Sequence, residues 1–393
     1  MKKNVLIGIT GGIAAYKICE LVSKLKKANY DVQVIMTKNA TKFITPLTLE
    51  TLSKNRVVVD MFDNIYEYDV KHISVAKKAD VFVVAPASAN VIAKLANGIC
   101  DDFLTTTFLS CTCPKLVCPA MNTNMYLNPI TLNNINKLEN YHINVVKPES
   151  GLLACNDIGI GRLPQIDIIF DQITSLLSEK PLENKKVLVT AGATIEAIDK
   201  VRYLTNHSSG KMGYALAKQA SLLGADVTLV SANTNLIPSN LYNIINVTSA
   251  RDMYEQTTSI YKDFDYVIMA AAVSDFTITN YKDYKIKKEN NLGIELTKTK
   301  DILDYLGHNK NSNQIICGFA MESENEIENA KNKLIKKNAD MIVVNSLNKE
   351  GAGFKTDTNI ASIITKDNII DFDIMTKEEL AKLILLEIAK MEK

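Results

Sequence analysis

Short apolar runs that alternate with helix-like segments are the feature that most limits how this chain can fold. Val5 to Ile9, Asp31 to Met36 and Asp80 to Ala85 are three such runs, and Ile13 to Ala28 has the length and pattern of a helix. Strands that are apolar almost throughout and are separated by helices are typical of a parallel sheet that helices cover on both faces. The sequence therefore predicts an α/β fold with a doubly wound sheet over residues 4 to 180.

A second series of apolar runs starts at Val187. Its further strands are predicted at Asp226 to Val230, Tyr266 to Ala270, Ile315 to Ala320, Met341 to Asn345 and Ile360 to Thr365. The polar segment between the two series, Ser178 to Lys186, contains one proline and is typical of an interdomain linker. A chain of 393 residues with 47% hydrophobic content can form two cores. We therefore predict two doubly wound domains, residues 1–183 and residues 184–393.

The charge balance and the cysteines exclude several classes of protein. With 45 basic and 44 acidic residues, the chain has no bulk attraction for nucleic acid or for an anionic membrane, so we expect small-molecule partners. The apolar run at Val5 ends in Thr10-Gly11-Gly12 without a cleavage-type segment, which predicts a cytoplasmic protein. Seven scattered cysteines do not form a disulfide framework, and the cluster Cys111, Cys113 and Cys118 lacks a partner pair at zinc-finger spacing.

The ends of the predicted strands are where a ligand would bind, because parallel sheets bind ligands at the carboxyl ends of their strands. In the first half, these ends are rich in small or polar residues: Thr10 to Ala15, Thr37 to Thr41, Ala85 to Asn90 and Pro119 to Met125. Taken singly, each segment is more often an ordinary strand-to-helix turn. Together they predict a pocket.

The stretch Lys186 to Ala220 carries the corresponding signal in the second half. Its strand breaks at Ala191-Gly192-Ala193, and a loop rich in hydroxyl groups and glycine, Asn206 to Gly213, leads into a helix. Free N–H groups and the positive end of a helix dipole at such a loop favour an anion. However, G-x-G-x-x-G is absent, and Met212 stands where a P-loop needs Ser or Thr. Spacing alone leaves a phosphate site and an ordinary turn equally open.

The residues of the first half resemble a known family. GITGGIAAYK (residues 8–17), APASANVIAKLANGICDDFLTTT (85–107) and PAMNTNMY (119–126) are similar to motifs of the flavin-binding cysteine decarboxylases. This family includes phosphopantothenoylcysteine decarboxylase, and the match covers most of residues 4–165. It implies a flavodoxin-like domain that binds FMN through Gly11, Gly12, Ala14, Thr37, Ser88 and Asn90. Gly12 and Tyr126 depart from the family, which frequently has Ser and Trp there.

The same resemblance implies three reacting residues. His72 matches the active-site histidine, and an imidazole that titrates near neutrality suits acid–base work. Asn122 matches the residue that holds the substrate carboxylate, without the full charge that would stabilise that carboxylate against loss. Cys155 lies in a glycine-bounded segment, residues 151–164, predicted to be a mobile flap, and matches a proton donor. From the residues alone, a structural role is favoured for His72, and Asn122 could equally satisfy turn backbone.

The second half resembles the phosphopantothenate–cysteine ligases, through VTAGATIEAIDKVRYLTNHSSGKMG (residues 189–213). The resemblance implies a Rossmann-like domain that activates a carboxylic acid with CTP through an acyl-cytidylate, with Mg2+ (or Mn2+). Arg202 and Asn206 match residues that bind the acyl-cytidylate, and Lys285 matches an essential lysine. The implied nucleotide contacts are Ala272, Asp275, Lys285, Lys300, Asp301, Ile302, Leu303, Phe319, Lys333 and Lys337.

Two of these positions have plainer interpretations, and a third departs from the family. Asp275, the candidate metal ligand, could equally cap a helix. Lys285 lies in a stretch, residues 285–288, that would usually be a solvated basic loop. Lys300 stands where the family often has Pro.

The two halves in this order resemble the fused bacterial bifunctional enzymes of coenzyme A biosynthesis. The implied substrates are 4′-phosphopantothenate, cysteine, CTP and phosphopantothenoylcysteine, and the family suggests a homo-oligomer with the flavin site shared between subunits. The alternative is a flavin-binding regulatory module whose catalysis has decayed. The presence of His72, Asn122, Cys155, Asn206 and Lys285 favours the enzyme.

Overall fold

The computed structural model describes residues 2–62, 71–154, 156–287, 293–322, 325–346 and 356–392. They form two compact units, Met1–Ser178 and Glu179–Lys393. The sequence pattern places the boundary between two independent domains at residues 183 and 184, and this boundary stays a prediction.

The first unit contains seven strands and eight α-helices in its described part. The strands are β1 (Asn4–Ile9), β2 (Asp31–Met36), β3 (Val81–Ala87), β4 (Lys115–Pro119), β5 (Asn144–Val145), β6 (Glu149–Leu152) and β7 (Ile158–Arg162). The helices are α1 (Ile18–Lys27), α2 (Pro46–Ser53), α3 (Lys71–Lys78), α4 (Ala89–Asn97), α5 (Phe103–Ser110), α6 (Thr123–Tyr126), α7 (Pro129–Asn140) and α8 (Ile166–Leu177). A 3-10 turn, Ile13–Lys17, leads into α1, so the predicted helix at Ile13 starts in this tighter form.

The sheet of the first unit confirms the predicted doubly wound, parallel arrangement. Its order is β2-β1-β3-β4-β5, and all neighbours are parallel. This is the flavodoxin-like order, in which the chain reverses direction across the sheet between β1 and β3. Val5 and Ile7 of β1 belong to a core with α1 and α8, whereas Leu6 belongs to a core with α4 and α5. Burial on both faces explains why the strand is apolar throughout.

The second unit contains fourteen strands and five α-helices in its described part. The strands are β8 (Lys186–Ala191), β9 (Ile195–Ala197), β10 (Tyr203–Thr205), β11 (Asp226–Ala232), β12 (Asn243–Val247), β13 (Tyr266–Met269), β14 (Phe276–Ile278), β15 (Leu296–Lys298), β16 (Ile315–Glu322), β17 (Met341–Ser346), β18 (Thr358–Asn359), β19 (Ala361–Thr365), β20 (Ile369–Asp371) and β21 (Met375–Thr376). The helices are α9 (Lys211–Leu222), α10 (Ala250–Ile260), α11 (Ile302–Asn309), α12 (Glu326–Lys336) and α13 (Lys377–Lys390).

The main sheet of the second unit has the order β12-β11-β8-β13-β16-β17-β19-β20. The first six strands are parallel and have the Rossmann order, with the reversal between β8 and β13. The Rossmann-like fold is therefore confirmed. β19 and β20 add two antiparallel strands at one edge. The edge strands β12 and β20 were not predicted, because they are only partly buried and lack a continuous apolar run.

Gly213 sets how closely α9 packs on β8. A Cβ atom at this position would lie 2.5 Å from Ala191 Cβ and 2.8 Å from the Thr190 carbonyl oxygen. Both atoms belong to the strand, so they cannot move aside as a flexible side-chain end could. The glycine therefore lets the first turn of α9 lie directly against the end of β8.

We predict that Gly213→Ala destabilises the second unit by about 1–3 kcal/mol, because it forces the helix away from the strand. Differential scanning calorimetry of the full chain should show a lower transition temperature. Gly12→Ala is a matched control, since a Cβ there meets nothing within 4 Å and its φ of −163° is ordinary extended backbone. Equal transition temperatures for Gly213→Ala and wild type would contradict this account of the packing.

Candidate active sites

A cavity of about 690 Å3 opens in the first unit at the carboxyl ends of β1, β3 and β4. It lies at the reversal point of the sheet, where flavodoxin-like folds bind their ligands. Its lining is mostly apolar with a few polar groups, which is typical of a cofactor site. The lining residues are Gly11, Gly12, Ile13, Ala14, Tyr16, Lys17, Ser88, Ala89, Ala120, Met121, Asn122, Met125, Leu152, Leu153, Ala154, Gly161, Arg162 and Leu163.

Thr10 joins the two strands between which this cavity opens. Its side chain is fully buried, and its hydroxyl donates to the Pro86 carbonyl oxygen at 2.7 Å. The Thr10 hydroxyl oxygen in turn accepts from the Ser88 backbone N–H at 2.9 Å. The hydroxyl therefore pairs backbone groups at the end of β3 and fixes the Ser88 turn against the start of the Gly11 turn. The sequence pattern placed Thr10 at a strand end but did not reveal this link.

The two glycines of the first turn have different roles. A Cβ at Gly11 would lie 2.6 Å from Asn39 Cβ, so the close approach of the β1 and β2 loops requires glycine. A Cβ at Gly12 meets nothing within 4 Å. The serine that is frequent in the family at this position would therefore fit, and glycine lacks its hydroxyl. Together with the apolar walls, this small-residue turn fits a flat aromatic cofactor such as a flavin.

An antiparallel hairpin, β6 with β7, brings Leu152, Leu153 and Ala154 to the cavity. It is fastened to the end of β4 because the Met121 N–H donates to the Gly161 carbonyl oxygen at 2.9 Å. Gly161 has φ of 138°, and a Cβ there would lie 2.2 Å from the Met121 carbonyl oxygen. The segment predicted as a flap is thus a hairpin whose base is anchored beside Asn122. Cys155 follows Ala154 in sequence and lies outside the described residues.

Asn122 lines the cavity and also caps a helix. Its Oδ1 accepts from the Asn124 backbone N–H at 2.9 Å at the start of α6. Its Nδ2 donates to Asp157 Oδ2 at 3.4 Å. The two interpretations of this residue are therefore compatible: the oxygen satisfies turn backbone, which orients the amide N–H groups so that they can serve as donors to a carboxylate.

Lys17 and Arg162 are two cations in the cavity lining that motif matching did not single out. Burial lowers the pKa of Lys17, and the nearby Arg162 guanidinium lowers it further, while Glu149 and Glu20 act in the opposite direction. Two neighbouring positive charges in a mainly apolar cavity favour an anionic ligand. Lys17 ends the first motif, but nothing in its spacing indicated a partner 145 residues along the chain (162 − 17).

Three predicted residues of the first unit lie elsewhere. Thr37 is 9% exposed, and its hydroxyl accepts from the Ala40 N–H at 3.3 Å. Asn90 is exposed on the first turn of α4. His72, on α3, packs edge-on against Phe103 with ring centroids 6.4 Å apart. Among the described residues, none of the three lines the cavity of its own chain, so their roles stay predictions.

In the second unit, two adjoining grooves lie at the carboxyl ends of the strands. We call the 500 Å3 one the larger groove and the 280 Å3 one the smaller groove. They share Ala271, Val273, Asp275, Phe319 and Lys333, so they are continuous. The larger groove also collects the predicted nucleotide contacts Lys300, Asp301, Ile302 and Leu303. Ala272 lines the smaller groove, beside Ser208, Ser209 and Gly210 of the loop before α9.

Lys337 contacts the larger groove indirectly, through Asp301 of its lining. Its Nζ lies 2.8 Å from Asp301 Oδ2 and 3.3 Å from Asp304 Oδ1. Burial alone would raise the pKa of Asp301, but hydrogen bonds from Lys337 and from the Asp304 N–H lower it overall. Asp301 is the N-cap of α11. Lys337 therefore keeps this cap ionised and fixed at the groove wall, although it does not itself line either groove among the described residues.

Asp199 organises the segments that carry Arg202 and Lys285. Its carboxylate is 3% exposed and accepts from the N–H groups of Val201 and Arg202, each at 2.7 Å, and of Ile286 at 3.2 Å. Arg202 Nη2 in turn donates to the Ile286 carbonyl oxygen at 3.1 Å. Burial would raise the pKa of Asp199, but these backbone donors lower it. Lys285, next to Ile286, is exposed and lies outside both grooves as described.

Asn206 reaches the smaller groove indirectly, because its Nδ2 donates to the Ala272 carbonyl oxygen at 3.2 Å. Asp275 lines both grooves and precedes the strand β14, so the alternative in which it caps a helix is wrong. No group of three or more His, Cys, Asp or Glu side chains suited to a metal occurs in the described part of the chain. A single carboxylate fits a Mg2+ ion that takes its other oxygens from phosphates and water.

Comparisons with known proteins match both halves. A family model described as Flavoprotein matches residues 1–178, and one described as DNA/pantothenate metabolism flavoprotein C-terminal domain matches residues 182–391. The coenzyme A biosynthesis bifunctional protein CoaBC of Borreliella burgdorferi is 46% identical over 98% of this chain and 98% of that protein. Its counterpart in Bacillus subtilis is 46% identical over 100% of this chain and 98% of its own length. The chain belongs to the family of bifunctional coenzyme A biosynthesis proteins.

This family assignment confirms the resemblance drawn from the two sets of motifs. A cysteine/cysteine sulfinic acid decarboxylase from an unknown prokaryotic organism is also similar, at 44% identity over 88% of this chain and 98% of that protein. Among solved structures, the C-terminal domain of a coenzyme A biosynthesis bifunctional protein CoaBC is 41% identical, covers 54% of this chain and 98% of that one, and has a TM-score of 0.47. No helix in the described ranges is long and apolar enough to cross a membrane.

We predict that Thr10→Val costs about 1–3 kcal/mol of stability, because it leaves buried backbone groups at the end of β3 without the hydroxyl. Flavin retention, measured by absorbance and fluorescence after gel filtration, should fall with it. Thr107→Val is the matched control: Thr107 is equally buried, but its hydroxyl donates to the Phe103 carbonyl oxygen within α5. Unchanged stability and flavin content in Thr10→Val would show that the link is dispensable.

We further predict that Asp199→Asn lowers ligation about tenfold or more, as expected when a buried charged acceptor is lost, while CTP still binds. The pKa of Asp199 is lower in the folded protein than in the unfolded chain. The ionised carboxylate therefore stabilises the fold fully at pH values above its unfolded pKa of about 3.9, and this contribution is lost as the pH falls through its folded pKa. In the variant, the free energy of unfolding should therefore decrease less steeply than in wild type as the pH is lowered. Asp265→Asn, which removes the charge of a carboxylate that accepts from the Lys186 N–H outside both grooves, is the control. Ligation at the wild-type rate in Asp199→Asn would refute the positioning role.

Proposed function

We propose that the chain carries out two consecutive steps of coenzyme A biosynthesis. The second unit joins 4′-phosphopantothenate to cysteine with CTP, and the first unit decarboxylates the resulting phosphopantothenoylcysteine to 4′-phosphopantetheine. The observation that carries this proposal is the pair of reversal-point cavities in one chain. The cavity of the first unit is mostly apolar, with the Asn122 amide at its wall. The two continuous grooves of the second unit are cationic, and the lining that they share contains one carboxylate, Asp275. The two sites suit two different reactions.

The apolar cavity suits decarboxylation. A carboxylate on a saturated carbon has nowhere to leave its electrons, and FMN, when bound, supplies a reversible electron sink. In this proposal Asn122 holds the departing carboxylate through its amide N–H groups, Cys155 returns a proton to the product carbon, and His72 moves a proton during oxidation. The chain is proposed to form a homo-oligomer that shares the flavin site between subunits, because His72 lies outside the cavity of its own chain.

The cationic grooves suit activation of a carboxylic acid. The carboxylate oxygen attacks the α-phosphorus of CTP, the bond to the β-phosphate breaks, and its electron pair leaves with pyrophosphate. The cysteine amine then displaces CMP from the acyl-cytidylate. We assign the nucleoside to the larger groove, Mg2+ (or Mn2+) to Asp275, and the acyl-cytidylate to Arg202 and Asn206. Lys285 approaches the developing negative charge.

The first unit has one alternative substrate, free cysteine, which the similarity to a cysteine/cysteine sulfinic acid decarboxylase suggests. Lys17 and Arg162 favour phosphopantothenoylcysteine, because that substrate carries a phosphate that free cysteine lacks. Incubation of the protein with each substrate separately, followed by measurement of CO2, distinguishes the two. Faster release from free cysteine would favour the alternative.

We predict that Asn122→Asp separates the two activities. With 4′-phosphopantothenate, cysteine and CTP, it should release CMP and pyrophosphate normally but accumulate phosphopantothenoylcysteine, because a carboxylate there repels the substrate carboxylate. Mass spectrometry of the products detects this directly. Asn124→Asp adds the same charge two residues along the chain, at an exposed position outside the cavity lining, and should still yield 4′-phosphopantetheine. Wild-type yields from Asn122→Asp would remove Asn122 from the reaction.

A further inference from the structure

Lys377 is a nearly buried cation in the wall of the smaller groove. It is 7% exposed and occupies the first position of α13, whose start is fixed by a capping box between Thr376 and Glu379. Its Nζ donates to the Thr356 carbonyl oxygen, and its backbone N–H donates to the Asp357 carbonyl oxygen at 2.9 Å. The side chain is therefore held in place before any ligand arrives.

The smaller groove has an excess of positive charge. Lys211, Lys333 and Lys377 line it, with Asp275 as the one carboxylate among its described lining residues. Lys211 Nζ forms an ion pair with Asp357 Oδ1 at 2.6 Å, but the side chain of Asp357 is 87% exposed. Counting both carboxylates, the local balance is +1 (3 − 2). Burial lowers the pKa of Lys377, and Lys211 lowers it further, against the opposing effect of Asp357. A bound anion would offset this charge.

The position of the groove indicates which anion. It continues through Asp275, Phe319 and Lys333 into the larger groove, to which the nucleoside is assigned. The phosphates of a nucleotide seated there would extend toward Lys377. We propose that Lys377, with Lys211, binds the β- and γ-phosphates of CTP and stabilises the pyrophosphate that leaves. This inference rests on the proposed CTP-dependent ligation and adds a residue from the last helix to it.

The chemistry of the step explains why a fixed cation is useful at this place. As the bond between the α- and β-phosphates breaks, its electron pair moves to the oxygen of the departing pyrophosphate. A preorganised ammonium group there stabilises charge that increases in the transition state. Lys285 lies outside both grooves in the described structure, whereas Lys377 lines the smaller groove, so Lys377 adds a fixed cation to the one that Lys285 is proposed to supply.

Isothermal titration calorimetry on the full-length protein tests the proposal with four probes: CTP with Mg2+, inorganic pyrophosphate with Mg2+, CMP, and 4′-phosphopantothenate. Lys377→Gln should weaken CTP and pyrophosphate binding about tenfold or more, as expected for a lost charge-assisted contact, and leave CMP binding unchanged. Lys377→Arg should restore most of the affinity. Lys382→Gln, which removes an exposed lysine of the same helix, is the control and should resemble wild type.

Three results would overturn the proposal. Lys377→Gln could keep wild-type affinity for CTP and pyrophosphate; it could lose CMP affinity by the same factor, which indicates a structural role; or it could weaken only 4′-phosphopantothenate, which assigns the groove to that phosphate. If Lys377→Gln fails to fold, Lys211→Gln must show the same selective loss. Wild-type protein that binds no CTP would instead refute the proposed ligation.

Discussion

Both units depend on buried threonine hydroxyls at the point where their sheets reverse direction. When two neighbouring strands lead to opposite sides of a sheet, the backbone beyond their ends loses its ladder partners, and buried unpaired groups are costly. Thr10 supplies those partners in the first unit. In the second unit, Thr190 accepts from the Ala271 N–H at 3.2 Å and Thr194 accepts from the Ser274 N–H at 3.0 Å. All three side chains are fully buried. The hydroxyls therefore pair backbone groups at the points where the strands separate and the cavities open.

The same opening becomes two different sites through the residues that neighbouring segments add. In the first unit, the β6–β7 hairpin contributes Leu152 and Leu153, so the cavity is mostly apolar and suits a planar cofactor. In the second unit, α12 contributes Lys333 and α13 contributes Lys377, so the smaller groove is cationic and suits phosphates. Fold alone does not decide the chemistry, because the two sheets present equivalent strand ends. The proposed reactions differ because the added side chains differ.

The fold was largely predictable because burial on both faces makes central strands continuously apolar, as in β1 and β3. The edge strands β12 and β20 were not, since partial exposure removes that pattern. Strand-end positions such as Gly11, Ser88 and Asn122 were also predictable, because glycines, hydroxyls and amides cluster there. Asp199 and Lys377 were not predictable: Asp199 acts by accepting from backbone N–H groups, including one 87 residues away, and Lys377 is brought to its groove by tertiary packing. Both contacts join residues that are far apart in the chain, so no local sequence motif indicates them.

One chain is proposed to ligate and then decarboxylate the same molecule. The most direct measurement uses cysteine with an isotope label in its carboxyl carbon, together with 4′-phosphopantothenate and CTP, and follows labelled CO2 and pyrophosphate in one reaction. We expect labelled CO2 to appear only when CTP is present, to lag behind pyrophosphate, and to reach the same final amount. Labelled CO2 formed without CTP, or pyrophosphate formed without any labelled CO2 in the presence of FMN, would contradict this proposal.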